Sequence, residues 1–208
     1  MASTTKIMTA LVVLEQLPLD HVVTISAEAA GIEGSSVYLT AGEKVTVEDL
    51  LYALLLQSAN DAAAALAIET AGSIEDFAVL MNEKATDLSL THSSFSNPHG
   101  LDDESHYTTA YDLAILTAEA LKNETFSDIV ATRKKSISLH DGASTCVLIN
   151  HNRLLRQYEG CIGVKTGYTK VSGRCLVSAA QRDSLTLICV TLADPNDWHD
   201  HTALLDYG

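Results

Sequence analysis

Ile162-Gly163-Val164-Lys165-Thr166-Gly167 reads as a strand that runs into a turn glycine, with Lys165 and Thr166 on opposite faces of its end. Strand-like alternation extends on both sides of it. Residues 136–139 and 145–150 precede it, and 174–181 and 184–192 follow, the last two joined as a hairpin around Arg182-Asp183-Ser184. Consecutive strands with such short connections predict a mainly antiparallel sheet in the C-terminal part of the chain.

Before residue 135 the period is helical. Residues 3–17 predict a helix, with Ile7, Ala10, Leu11 and Leu14 at helical spacing and Pro18 at its end. Residues 22–26 form a short strand-like run, and 31–44, rich in Gly, Ser and Thr, read as loop and short strand. Thr46-Val47-Glu48-Asp49 resembles a capping box and introduces a helix over 47–57. Further helices are expected over 61–70, 73–88 and 108–123, the last capped by Thr109. Between the last two lies the turn-dense Phe95-Ser96-Asn97-Pro98-His99-Gly100-Leu101. The expected architecture is an α/β (α+β) fold of one domain, 1–208. A helical lobe covers roughly 45–130, the sheet comes mainly from 135–193, and the first helix packs on that sheet with its N-terminus beside residues 162–166.

The chain has 208 residues, 47% of them hydrophobic and 19% charged, which suits a globular core rather than a disordered segment. Its net charge of −14 opposes binding to nucleic acid or to an anionic membrane surface. Apolar runs such as residues 7–14 are too short to span a bilayer, and no basic flank precedes one as in a signal peptide. The four cysteines, Cys146, Cys161, Cys175 and Cys189, lack close-spaced metal patterns. Cys175 and Cys189 fall on opposite faces of the predicted hairpin, so buried free thiols are expected. His199-Asp200-His201 is read as solvated rather than as a metal site, Trp198 as a packing anchor, and Asp102-Asp103-Glu104 as loop surface.

Three short motifs carry chemistry. In Ser3-Thr4-Thr5-Lys6, Ser3 and Lys6 share a helix face. A lysine with a lowered pKa can take a serine proton, and free N–H groups at a helix start can stabilise an oxyanion. Ser58-Ala59-Asn60 lies at a helix junction and offers a hydroxyl for proton relay and an amide for a substrate carbonyl. Lys165-Thr166-Gly167 offers a cation and a hydroxyl for a carboxylate, with a glycine that lets a substrate backbone approach. Each has an ordinary structural explanation by itself: a capped helix with a surface lysine, a helix cap, a strand terminus. Together, in this order and these contexts, they match the motif set of penicillin-binding proteins and class A β-lactamases.

The resemblance goes further. Residues 2–9, Phe95-x-Asn97-Pro98-x-Gly100-Leu101, Ala110-Tyr111-Asp112 and residues 163–169 resemble the D-alanyl-D-alanine carboxypeptidases, the low-molecular-mass penicillin-binding proteins. Ser-Ala-Asn in place of Ser-Asp-Asn points away from β-lactamase, and no glutamate suited to rapid deacylation stands between Ser58 and Lys165. The resemblance implies a DD-peptidase/β-lactamase-like sheet flanked by helices, with the site between the sheet and an all-helical lobe. It implies removal of the terminal D-alanine from peptidoglycan stem pentapeptides without metal or cofactor, and acylation by β-lactam antibiotics. By motif, Ser3 would be the nucleophile, Lys6 its base, Ser58 a proton relay and Asn60 the holder of the substrate amide. Lys165, Thr166, Gly167 and Tyr168 would line the substrate site, the N–H groups of Ser3 and Tyr168 forming the oxyanion hole. Relative to the family the chain is expected to be truncated at both ends. The full-length protein would be extracytoplasmic, touching a membrane only through a segment outside this chain. Some members carry a carboxylate-binding arginine after the last strand; residues 194–208 contain none, and Arg153 lies nearer the catalytic strand in sequence.

Overall fold

The structure, a computed structural model, describes residues 1–140 and 142–208. A 3-10 turn, Ala2–Thr5, opens directly into α1, Lys6–Gln16. Strands β1, Val22–Thr24, and β2, Lys44–Thr46, pair antiparallel about the short helix α2, Ala27–Ala30. Five helices follow: α3, Val47–Leu56; α4, Asn60–Ala71; α5, Ile74–Asp87; α6, Ala110–Ala120; and α7, Glu124–Ala131. Four of them start on a side chain that accepts a backbone N–H, as the sequence suggests for Thr46 and Thr109. Ser73 and Asn123 do the same for α5 and α7.

The remainder is mostly strand. β3, Lys134–Leu139, and β4, Ser144–Ile149, make a hairpin. After α8, Leu154–Gln157, come β5, Cys161–Thr169, β6, Gly173–Arg182, and β7, Leu185–Thr191, closed by α9, Asp197–Tyr207. Among the described residues the three last strands form one antiparallel sheet in the order β5-β6-β7, and the β3–β4 hairpin is a separate ladder. The expected sheet over 135–193 is thus divided: the hairpin packs on α3 and β2 instead of extending the β5 edge. That edge is met instead by the Ala2–Thr5 turn. β6 is buried on both faces, as befits a central strand.

One face of the sheet, with Val177, Ala179, Ile188 and Val190, joins the main core; the other, with Ala180, Leu187 and Cys189, meets Leu205 of α9. Cys175 and Cys189 therefore face opposite ways, and all four thiols are free, with Cys146 and Cys161 only partly buried. The first helix departs from the expectation. Only its opening turn docks on β5 and β6, whereas α1 itself packs among α3, α4, α5 and α6. The reason lies in its composition: Ile7, Met8, Ala10, Leu11, Val12 and Val13 are all buried, and a helix apolar all round belongs in the centre of a helical lobe. Buried alanines at 62–65 and 67 let α4 lie close beside it.

Candidate active site

The 3-10 turn places Ser3 at the N-terminus of α1, with Ala2 before it at φ 51°. Lys6 follows one turn later and is wholly buried. Its Nζ donates to Ser3 Oγ at 2.9 Å, to Asn60 Oδ1 at 2.7 Å and to the His99 carbonyl at 2.6 Å. These oxygens take all the donors of an ammonium, and none belongs to a carboxylate. Burial first, and the charge of Lys165 next, hold the Lys6 pKa well below its ordinary 10.5, while Asp61 pulls it partly back. A neutral lysine 2.9 Å from a serine hydroxyl can accept its proton.

Ser58 follows Gln57, the C-cap of α3, at φ 61°, and the Ala59 N–H returns to the Ala53 carbonyl at 3.1 Å. This left-handed residue turns the chain at once from α3 into α4 and aims Ser58 at β5. Lys165 Nζ donates to Ser58 Oγ at 3.0 Å and to the Thr166 carbonyl at 2.8 Å. Lys165 is 1% exposed, and burial lowers its pKa to about 7. Two buried lysines without an acid in contact are costly for stability, which marks a site organised for chemistry.

The turn-dense loop lies against the nucleophile turn. Asn97 Oδ1 accepts from the Gly100 N–H at 2.7 Å, Thr9 Oγ1 donates to the Pro98 carbonyl at 2.6 Å, and His99 supplies its carbonyl to Lys6. His106 locks the same region. Its Nδ1 accepts from the Ser96 N–H at 3.0 Å, so its Nε2 carries the proton and donates to Thr5 Oγ1 at 2.7 Å. Thr5 in turn donates to the Ala2 carbonyl at 2.8 Å. Burial is the main cause that lowers His99 to about 3 and His106 to about 4, so both are neutral in use.

A cleft of 520 Å³ opens along β5 and contains Ser3, Ser58, Thr166, Gly167 and Tyr168. Gly167 faces the nucleophile as well as the cleft: a Cβ there would stand 3.0 Å from the Ser3 nitrogen. Arg153, Arg156 and Arg174 line the same cleft, with Asp197 and Trp198. Arg174 is engaged by Asp197 through Nε at 3.1 Å and Nη2 at 2.9 Å. Arg153 lies over the Trp198 ring at 5.7 Å. With Arg174 paired to Asp197, Arg153 and Arg156 leave the cleft an excess of positive charge on a chain of net charge −14, which favours an anionic ligand.

The fold thus brings the three motifs together. Asn60 is the partial exception: its Oδ1 accepts from Lys6 and its Nδ2 donates to the Glu33 carbonyl at 2.7 Å, so both ends of the amide are bound within the protein rather than offered to the cleft. His201, expected to be solvated, is wholly buried between Ser178 Oγ at 2.6 Å and Thr191 Oγ1 at 3.0 Å, because α9 covers the sheet there. Trp198 does pack, as the cover of Arg153, and Asp102, Asp103 and Glu104 are exposed. No group of metal-ligand side chains occurs among the described residues. Sequence reading missed Asp61, His106, Arg174 with Asp197, and helices α7 and α9. For α7 the signal was present: an Asn123 cap followed by Phe126, Ile129 and Val130 at helical spacing.

Known proteins resemble this chain in sequence and fold. Residues 1–196 match the peptidase S11 family, D-alanyl-D-alanine carboxypeptidase. The D-alanyl-D-alanine carboxypeptidase DacF of Bacillus subtilis is 39% identical over 91% of this chain, which spans about 50% of DacF. A Streptomyces D-alanyl-D-alanine carboxypeptidase is 39% identical over 99% of this chain and 77% of its own length. The crystal structure of a Streptomyces DD-transpeptidase superposes with a TM-score of 0.93 at 38% identity, covering 99% of this chain and 86% of that one. A serine in contact with a buried lysine at a helix start, facing a strand that carries Lys-Thr-Gly, and a family match over nearly the whole chain converge: this chain belongs to the D-alanyl-D-alanine carboxypeptidase family of serine peptidases.

Proposed function

We propose that this chain is the catalytic unit of a D-Ala-D-Ala carboxypeptidase that trims peptidoglycan stem peptides through an acyl-enzyme on Ser3. The observation that carries the reading is the contact of Ser3 Oγ with the buried, pKa-lowered Lys6 at 2.9 Å. Lys6 takes the Ser3 proton as Oγ bonds to the carbonyl carbon between the two D-alanines. The N–H groups of Ser3 and Tyr168 receive the oxyanion. As the C–N bond breaks, the proton that Lys6 took passes by way of Ser58, which Lys165 contacts at 3.0 Å, to the D-alanine nitrogen, which leaves Lys6 neutral again. Water then attacks the ester with Lys6 as base, restoring Ser3. Lys165 and Thr166, with Arg153 and Arg156 in the cleft, suit the terminal carboxylate. Asn60 orients Lys6, and reaches a substrate carbonyl only by releasing Glu33. The substrate of this family is cell-wall peptidoglycan, which points to an extracytoplasmic place of action.

Intact mass after exposure to benzylpenicillin tests the reading, with peptide mapping of the adduct. One penicilloyl group on Ser3, absent in Ser3→Ala, is expected; labelling of another serine refutes the assignment. Release of D-alanine from diacetyl-Lys-D-Ala-D-Ala separates an enzyme from a penicillin sensor that acylates without turnover, and rapid penicillin hydrolysis would indicate a β-lactamase. The Streptomyces structure is named a transpeptidase, and β5 lines the cleft here with Thr166, Gly167 and Tyr168. Added glycylglycine would reveal any transfer of the acyl group to an amine.

A further inference from the structure

Asp61 is 1% exposed and lies at the start of α4, next to Asn60. Its Oδ2 accepts from Ser36 Oγ at 2.6 Å and from the Leu39 N–H at 3.0 Å; its Oδ1 accepts from the Val37 N–H at 3.3 Å and the Ala62 N–H at 3.0 Å. Four donors on one buried carboxylate tie the 33–39 loop to the helix start. The same loop grips Asn60. The Asn60 N–H donates to the Ser35 carbonyl at 2.6 Å, and Asn60 Nδ2 donates to the Glu33 carbonyl at 2.7 Å. Gly34 lies so close that a Cβ there would stand 2.6 Å from Asn60 Nδ2. An amide whose nitrogen is held by a carbonyl can present only its oxygen in the opposite direction, and that oxygen receives Lys6 at 2.7 Å.

We propose that Asp61 is a positioning residue for the acyl transfer: by anchoring the 33–39 loop it fixes the side-chain amide of Asn60 and, through it, the head group of Lys6. This rests on the functional reading above for its kinetic consequence, but not for its geometry. The chain of contacts runs from the Asp61 carboxylate to the loop, from the loop to Asn60, and from Asn60 to Lys6. Asp61 also supplies a negative charge that raises the Lys6 pKa against the lowering by Lys165 on β5, while buried His99, whose carbonyl Lys6 contacts, is neutral.

The test uses Asp61→Asn, close in shape but with a donor where two donors now converge, and Ser36→Ala, which removes one bond and keeps the charge. Protein labelled with 15N-asparagine reports on the Asn60 side-chain amide, and fluorescent penicillin reports on acylation. In Asp61→Asn the Asn60 amide protons should lose protection from exchange. The acylation rate of the folded protein should fall about 100-fold, the scale of a misplacement near 1 Å. The acid limb of its pH profile should move to lower pH, since a charge that raises Lys6 is gone. Ser36→Ala should slow acylation less and leave the pH limb in place; it also carries the test if Asp61→Asn unfolds. Unchanged Asn60 protection and an unchanged rate overturn the proposal, as does a loss explained wholly by unfolded protein in a thermal melt. A wild-type protein that takes no penicillin while Asn60 protection still depends on Asp61 would sink the functional reading and leave the positioning intact.

Discussion

Replacing Gly100 with alanine probes how tightly the Asn97–Leu101 segment sets the nucleophile. Gly100 has φ 88°, and a Cβ built there stands 2.0 Å from the Ala2 carbonyl oxygen, 2.4 Å from its carbon and 3.0 Å from the Ser3 nitrogen. Contacts below 3.0 Å are not tolerated, so the loop and the turn must separate by at least about 1 Å, and both sides are backbone. A left-handed alanine adds roughly 1–2 kcal/mol of strain. The loop cannot simply swing away, because Asn97 Oδ1 holds the Gly100 N–H and the neighbouring His99 carbonyl holds Lys6. A displacement of about 1 Å at the nucleophile corresponds to a rate loss of about 100-fold. Gly100→Ala should therefore stay folded, melt a few degrees lower and acylate with penicillin about 100-fold more slowly. Rates measured by stopped-flow with fluorescent penicillin, together with a thermal melt, decide the matter. A wild-type acylation rate in Gly100→Ala would refute the claim that this loop and the nucleophile turn are one rigid unit.

Acid should destabilise the fold through its buried histidines. His99, His106 and His201 have pKa values lowered to about 3, 4 and 4, so the unfolded chain takes up their protons first and stability falls as pH drops from about 6.5 towards 4. Between pH 6.5 and 5 this amounts to about 1.6 kcal/mol per histidine; urea unfolding at the two pH values measures it, and equal stability would contradict it. Activity should follow a bell. The rising limb is the deprotonation of Lys6 well below 10.5, and the falling limb is the loss of the Lys165 charge from about pH 7 in the free enzyme. A kcat/KM for diacetyl-Lys-D-Ala-D-Ala that keeps rising to pH 10 would exclude a charged Lys165 in substrate binding. Arg174→Met should cost roughly 1–2 kcal/mol, because it leaves the buried Asp197 carboxylate without its cation but with the Trp198 N–H and solvent on the arginine side. The double variant Arg174→Met with Asp197→Leu should recover most of that in a urea titration.

Most helix starts were legible because they depend on neighbours in sequence. Thr46 and Thr109 cap α3 and α6 through residues three positions on, and the apolar spacing of residues 74–87 is local too. Alternation placed the strands to within a residue or two for the same reason, except at Gly167, expected as a turn glycine: β5 runs through it to Thr169, because pairing with β6 extends over Cys175, Arg174 and Gly173. What failed was partnership. Nothing in 134–149 reveals whether that hairpin joins the sheet, since both arrangements satisfy the same alternation; only the available surface of α3 and β2 decides. His201 reads as polar surface in a stretch of His and Asp, yet the cover of α9 on β6 and β7 turns it inward to two hydroxyls.

The sequence by itself determined which groups are on offer: a serine and a lysine one helical turn apart, a serine and an asparagine at a helix junction, and a lysine, a threonine and a glycine in succession on a strand. Spacing along a helix or strand places such groups within a segment, because the backbone period is fixed. Tertiary structure decided what those groups are worth. It buried Lys6 and Lys165 near one another without an acid in contact, which is what lowers their pKa values. It also turned Asn60 towards Lys6, pressed Gly100 onto the nucleophile turn and brought three arginines to the cleft. Burial, charge proximity and close backbone approach are properties of segments far apart in the chain, and no local pattern encodes them.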